Sequence, residues 1–119
     1  MIQFLIQRWR SIGFSCQGIG VLLRTQPNAW VHVAATLAVV ALGVSVCISR
    51  LEWALLALAI GAVWAAEALN TGIEFVVDLV SPDHHELAGK AKDVAAAGVL
   101  LASMAAVLVG LLVFVPYLL

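Results

Sequence analysis

Long apolar runs, separated by short polar segments, are the main pattern of the chain. Residues 31–48 and 94–119 carry no formal charge, and the run that begins at residue 53 stays apolar to Glu67 and continues to about residue 73. A helix needs about 20 mainly apolar residues to cross the hydrocarbon core of a bilayer. The pattern therefore predicts three membrane helices, which we place at residues 29–48, 53–80 and 93–117.

The polar segments predict where these helices are connected. Residues 1–25 mix apolar positions with Gln, Arg and Ser, which favours an amphipathic helix on the membrane surface. An ordinary helix packed on the bundle is the alternative. Pro27 lacks an N–H and suits the first turn of a following helix, and SPDHHE at residues 81–86 ends the second span. We expect an all-α membrane protein with one domain over residues 1–119.

Composition and charge place the chain in the membrane class. Hydrophobic residues make up 64% and charged residues 11%, and the net charge of -1 gives no reason to expect a nucleic-acid partner. With three spans, one side carries five cationic residues and the other carries Arg50. The five are Arg8, Arg10, Arg24, Lys90 and Lys92. The positive-inside rule then predicts a cytoplasmic N-terminus and 81–93 loop, with the C-terminus outside.

The segment AEALNTGIEFVVDLV, residues 66–80, carries acidic groups inside the second span. On a helix Glu67, Asn70, Glu74 and Asp78 fall at about 0, 300, 340 and 20 degrees, in one stripe. Ionisable groups at membrane depth cost about 2.5–3.5 kcal/mol each on insertion scales, so they usually face a partner or a polar site. Because the spans hold no Lys or Arg, we expect a hard cation such as Mg²⁺, together with phosphate oxygens and water.

Two functions are compatible with this stripe. As an active site, Glu67 is the deepest carboxylate and acts as general base towards a lipid hydroxyl, while Glu74 and Asp78 meet a nucleotide nearer the water. As an interhelical seam or ion path, the stripe belongs to a non-catalytic membrane assembly protein or a cation carrier. No P-loop is present, since Gly89 and Lys90 lack the upstream glycine spacing. The pattern alone leaves both functions open.

Two motifs resemble the prokaryotic diacylglycerol kinase family, the small three-span membrane kinases that also include undecaprenol kinases. The motifs are EALNTGIEFVVDLV at 67–80 and HELAGKAKDVAAAGVLLA at 85–102. The resemblance implies phosphorylation of a membrane lipid alcohol with ATP and Mg²⁺, from diacylglycerol to phosphatidic acid or from undecaprenol to undecaprenyl phosphate. It also implies a homotrimer in the bacterial cytoplasmic (inner) membrane, with sites shared between subunits.

The resemblance also implies roles for individual residues. Glu67 corresponds to the catalytic base, Asn70 to its polar neighbour at the lipid, and Glu74 to a metal ligand that also faces the nucleotide. Trp30 is a candidate for the lipid entrance. The remaining candidates for nucleotide binding are Asp78, His85, Glu86, Lys90, Lys92, Asp93 and Arg10; of these, His85 and Glu86 are placed in the loop, and Arg10 could instead contact anionic headgroups.

Gln26 departs from the family pattern, because members usually carry a second metal-binding glutamate at the position that aligns with it. A neutral amide can offer its carbonyl oxygen to Mg²⁺ but brings no charge. Metal affinity is then weaker here, or Asp78 compensates, or the alignment across Pro27 is shifted by a few residues. His32, at the start of the first span, is interpreted as a capping or interfacial residue.

Overall fold

The structure, a computed structural model that describes residues 1–119, consists of four helices and no strand. The helices are α1 (Ile2–Thr25), α2 (Pro27–Val46), α3 (Arg50–Val80) and α4 (Glu86–Leu118). The last three are long and apolar enough to cross a membrane. The prediction of an all-α membrane protein with three spans is confirmed, while the surface position of α1 and the trimer stay predictions.

Local chemistry explains why α3 and α4 start earlier than residues 53 and 93. Ser49 Oγ accepts a hydrogen bond from the backbone N–H of Glu52 at 3.2 Å, and Glu52 Oε2 accepts one from Ser49 N at 2.7 Å, so a capping box starts α3 at Arg50. His85 Nδ1 accepts from Leu87 N at 3.1 Å and caps α4. The predicted boundaries at residues 53 and 93 mark where the apolar runs begin. The helices themselves begin earlier, because Glu, Ala and Lys have high helix propensity and extend a helix into water.

Helix lengths determine which part of the bundle projects from the membrane. The 20 residues of α2 are about 30 Å long, which matches the hydrocarbon core. The 31 and 33 residues of α3 and α4 are longer by about 15–20 Å. Since residues 47–49 join α2 to α3 at one end, the extra length extends beyond Pro27 at the other. We call residues 70–98, where α3 and α4 continue past α2, the projecting hairpin.

The apolar core lies at the end of the bundle that contains residues 47–49 and the C-terminus of α4, which we call the turn end. Ile48, Leu56, Val113 and Phe114 form a buried cluster there. A Cβ added at Gly43 would lie 2.7 Å from Trp53 Cη2, so α2 and α3 approach closely only because this residue is glycine. The opposite end, with Pro27 and the projecting hairpin, is the hairpin end.

Candidate functional site

The buried residues near the start of the projecting hairpin are mainly polar. Glu67, Asn70 and Thr71 of α3 are 2%, 7% and 4% exposed. The Thr71 hydroxyl donates to the backbone oxygen of Glu67 at 2.9 Å, so its hydrogen-bonding requirement is met inside the helix. The Glu67 carboxylate and the Asn70 amide oxygen have no such partner within α3. Their burial in a membrane helix calls for partners from neighbouring helices or from a ligand.

Glu67 has one partner from another helix. His32 Nε2 of α2 lies 3.2 Å from Glu67 Oε2. Oε1, the other carboxylate oxygen, makes no hydrogen bond within the chain and keeps some solvent-accessible surface. The pair therefore leaves one oxygen of a buried carboxylate free to accept a proton or a hydrogen bond.

An open groove of about 330 Å³ meets this carboxylate where α2, α3 and α4 come together. Its lining consists of Asn28, Val31, His32, Glu67, Asn70, Ala96, Val99, Leu100 and Ser103. The polar groups come mainly from α2 and α3, while α4 contributes apolar side chains and one serine. A groove with a polar wall and an apolar wall suits an amphiphile that carries a hydroxyl on a hydrocarbon body.

Asn70 connects the groove to the projecting hairpin. Its Nδ2 donates to Glu74 Oε1 at 3.4 Å, and Glu74 is partly exposed. The other amide atom, Oδ1, is buried and has no hydrogen-bond partner. A buried polar atom without a partner costs about 1–3 kcal/mol. An unsatisfied buried atom requires an explanation, and a donor or a cation bound in the groove is one.

Farther along the hairpin, the charged candidates pair across and along the helices. Lys92 Nζ of α4 lies 2.5 Å from Asp78 Oδ1 of α3. Lys90 and Glu86 form an exposed pair at 3.2 Å within α4, and Asp93 is exposed beside them. Glu86 is the first residue of α4 and His85 is its cap, so Glu86 lies outside the loop in which it was predicted.

The remaining predicted site residues lie outside the groove. Arg10 is exposed on α1. Trp30 donates its indole N–H to the backbone oxygen of Leu23 at 2.9 Å and so ties α2 to α1, while its neighbour Val31 lines the groove. Gln26 joins α1 to α2. No three His, Cys, Asp or Glu side chains of the chain come together as metal ligands.

His32 is the site residue that the sequence analysis missed, together with Asn28 and Ser103 in the groove lining. A single histidine near a helix start has several ordinary uses, and no local motif connects it to Glu67. The available signal was the register of antiparallel spans, since His32 and Glu67 lie at similar distances before and after the turn at 47–49.

Residues 13–114 match the sequence family described as prokaryotic diacylglycerol kinase. The chain belongs to this family. The matched region contains the groove, the His32–Glu67 pair and the whole projecting hairpin; Arg10 and Tyr117 lie outside it. The resemblance seen in the two motifs is therefore confirmed at the level of the family.

Several members of the prokaryotic diacylglycerol kinase family are similar to this chain. A Bacillus subtilis protein named undecaprenol kinase is 40% identical over 91% of the chain and 88% of its own length. A Synechocystis protein named diacylglycerol kinase is 40% identical over 92% of the chain and 63% of its own length. The Escherichia coli K12 protein named diacylglycerol kinase is 36% identical over 80% and 66%. The chain thus spans slightly less than two thirds of both diacylglycerol kinases.

Proposed function

We propose that this protein is a lipid kinase that transfers the γ-phosphoryl group of ATP to the hydroxyl of a membrane lipid alcohol. Membership of a kinase family supports the reaction class. The observation that carries the proposal is Glu67, a buried carboxylate in a membrane helix with one oxygen bonded to His32 and the other unpaired beside an open groove.

In this proposal the lipid places its hydrocarbon against the apolar wall of the groove and its hydroxyl at Glu67. The hydroxyl proton moves to Glu67 Oε1 as the lipid oxygen bonds to the γ-phosphorus of ATP. The bond between that phosphorus and the β–γ bridging oxygen breaks, and ADP leaves with the electron pair. The protein contributes alignment, a base and charge stabilisation, which are the usual elements of phosphoryl transfer.

The projecting hairpin is the proposed nucleotide site. It is the water-facing continuation of the helices that form the groove, and it carries Asp78, Lys90, Lys92 and Asp93, with His85 and Glu86 at the start of α4. Lysine ammonium groups stabilise phosphate oxygens as point charges. In this proposal Lys92, which pairs with Asp78, exchanges this partner for a phosphate.

The oxygen donors between groove and hairpin fit Mg²⁺. Mg²⁺ is bound through one or two carboxylates together with phosphate oxygens and water, and Glu74 with the unpaired Asn70 Oδ1 provides such a set. When bound, the ion supplies charge neutralisation to the phosphates. Gln26 adds no charge to this set. The small number of ligands in one chain agrees with an ion held largely by the nucleotide.

The proposed assembly is a homotrimer in the bacterial cytoplasmic membrane, with sites shared between subunits. Three thin spans leave the groove open on one side, and a buried carboxylate needs further helices to exclude lipid. The hairpin end holds Lys90 and Lys92 and adjoins the arginine-rich α1, so we place this end and the N-terminus in the cytoplasm and the C-terminus outside.

Of the two acceptors, we favour undecaprenol. The relative named undecaprenol kinase aligns over most of both chains, whereas the two named diacylglycerol kinases extend well beyond the aligned region.

The test is transfer of labelled phosphate from ATP by the purified protein, with Mg²⁺ and with diacylglycerol and undecaprenol in parallel mixed micelles. We expect transfer that depends on added lipid and is faster with undecaprenol. Faster transfer to diacylglycerol would keep the kinase and reverse the acceptor. If folded protein labelled neither lipid, the kinase proposal would be wrong and the cation carrier would take its place.

A further inference from the structure

His32 approaches Glu67 from a different helix. It lies in the second turn of α2, and its ring Nε2 is 3.2 Å from Glu67 Oε2, with 16% of the His32 side chain and 2% of the Glu67 side chain exposed. Both residues line the same groove. The contact therefore determines how the carboxylate is presented to whatever enters the groove.

The imidazole ring is held in place by contacts of its own. Its edge packs against Trp64 of α3, with ring centroids 5.9 Å apart and planes at 65°. Trp64 donates its indole N–H to Thr36 Oγ1 at 3.1 Å, and the Thr36 hydroxyl donates to the backbone oxygen of His32 at 2.7 Å. These contacts link α2 to α3 one helical turn from the pair. The ring is thus oriented by its surroundings before any ligand binds.

The chemistry of the pair fixes the direction of its hydrogen bond. A carboxylate that is ready to accept a proton has no hydrogen to donate, so Nε2 must carry the proton and donate it to Oε2. A charged carboxylate away from water is strongly disfavoured without such a donor. The bond occupies Oε2 and leaves Oε1 as the carboxylate oxygen without a partner.

We propose that His32 is a positioning residue for Glu67: by donating from Nε2 to Oε2 it holds the carboxylate in place and directs Oε1 towards the lipid hydroxyl. This inference rests on the proposed function, because it assumes that Glu67 is the base. His32 keeps its own proton throughout, and the proton from the lipid ends on Oε1.

The test is a set of His32 variants assayed for kcat and for KM of the lipid and of ATP. His32→Ala removes the donor, and we expect kcat to fall by about 10- to 100-fold, the scale of a misplaced catalytic group. KM for ATP should stay within about twofold, since an interaction made at the reacting group changes kcat rather than remote binding. His84→Ala, in the exposed 81–85 loop, is the histidine control and should match the wild type.

A variant that restores the N–H donor distinguishes a positioning role of His32 from a role in packing alone. His32→Gln carries an amide N–H near the place of Nε2–H, so we expect its kcat to return to within about fivefold of the wild type. If His32→Gln were as impaired as His32→Ala, although both elute as folded protein and melt like the wild type, the donor role would be wrong. Wild-type kcat in His32→Ala would also overturn it.

A double-mutant cycle shows whether His32 acts through Glu67. Glu67→Asp shortens the carboxylate and loosens the pair, so His32→Ala should cost far less in that background than in the wild type. Equal costs in both backgrounds would mean that His32 acts independently of Glu67, and the inference would fail. Failure of the proposed function itself has a different signature, namely that Glu67→Gln retains full lipid-dependent turnover.

Discussion

Two glutamates of α3 show how differently the two ends of the molecule use the same side chain. At the turn end, Glu52 Oε2 accepts hydrogen bonds from Ser49 N at 2.7 Å and from the Tyr117 hydroxyl at 2.6 Å. At the hairpin end, Glu67 is far more buried, yet its carboxylate has a single partner, His32. The more shielded carboxylate is thus the less completely bonded one.

The residues around the two glutamates also differ in how completely they are hydrogen-bonded. Glu52 completes a helix cap and ties the last turn of α4 to the first turn of α3, beside the apolar cluster. Near Glu67 the buried residues include the polar Asn70 and Thr71, and Asn70 Oδ1 lacks any partner. Buried polar groups are normally paired. The turn end is therefore the more completely bonded part of the bundle, and the unpaired polar atoms lie at the hairpin end.

The largest expected effect comes from replacing each of the two glutamates, in separate variants, with glutamine. Glu67→Gln removes the proposed base, and we expect turnover with the lipid alcohol to fall by about 10²–10⁴-fold, the usual contribution of a general base. Glu52→Gln is the matched control on the same helix and should keep kcat near the wild type. The measurement is labelled phosphate transfer at saturating ATP. Comparable losses in both variants would contradict the division between the two ends.

The next test removes the Asn70 amide, whose oxygen has no hydrogen-bond partner. Asn70→Leu should lower kcat by about 10- to 100-fold, because the amide lies between Glu74 and the proposed position of the lipid hydroxyl. Its unfolding midpoint in detergent should be unchanged or higher, since replacing an unsatisfied buried polar group with an apolar one is often neutral or stabilising. Asn70→Ala distinguishes loss of the amide from blockage by leucine. A large loss of stability in both variants would show that Asn70 supports the fold rather than the site.

The sequence predicted the polar residues of α3 at the hairpin end, but not the residue of α2 that contacts them. Carboxylates in an apolar run are visible without a structure because their cost in a membrane is high, and a period of 3.6 residues places Glu67, Asn70 and Glu74 together. The contact with His32 depends on the register of α2 against α3 over a separation of 35 residues. That register is set by close approaches such as Gly43 to Trp53, which no local pattern reveals.

At the turn end, the strongest expected effect is steric. Gly43→Ala places a Cβ 2.7 Å from Trp53 Cη2 and 3.1 Å from Ile48 Cδ1, so α2 and α3 must separate or the ring must move. Overpacking of this kind costs about 1–3 kcal/mol. Gly61→Ala, where a Cβ meets nothing within 4 Å, is the control. Circular dichroism melts in one detergent measure both, and equal midpoints would argue against this close approach.

The smallest expected effect is the loss of the hydrogen bond that joins the ends of α3 and α4. Tyr117→Phe keeps the ring and removes the donor to Glu52 Oε2. Because Tyr117 is exposed, Glu52 is partly exposed and the capping box remains, the unfolding midpoint should fall less than in Gly43→Ala, with kcat unchanged. In a Glu52→Gln background the same substitution should have less effect still, because its main partner is already weakened. If Tyr117→Phe instead reduced kcat without changing the melt, the turn end would be coupled to the site over the length of the membrane, and the two ends could no longer be treated as separate in function.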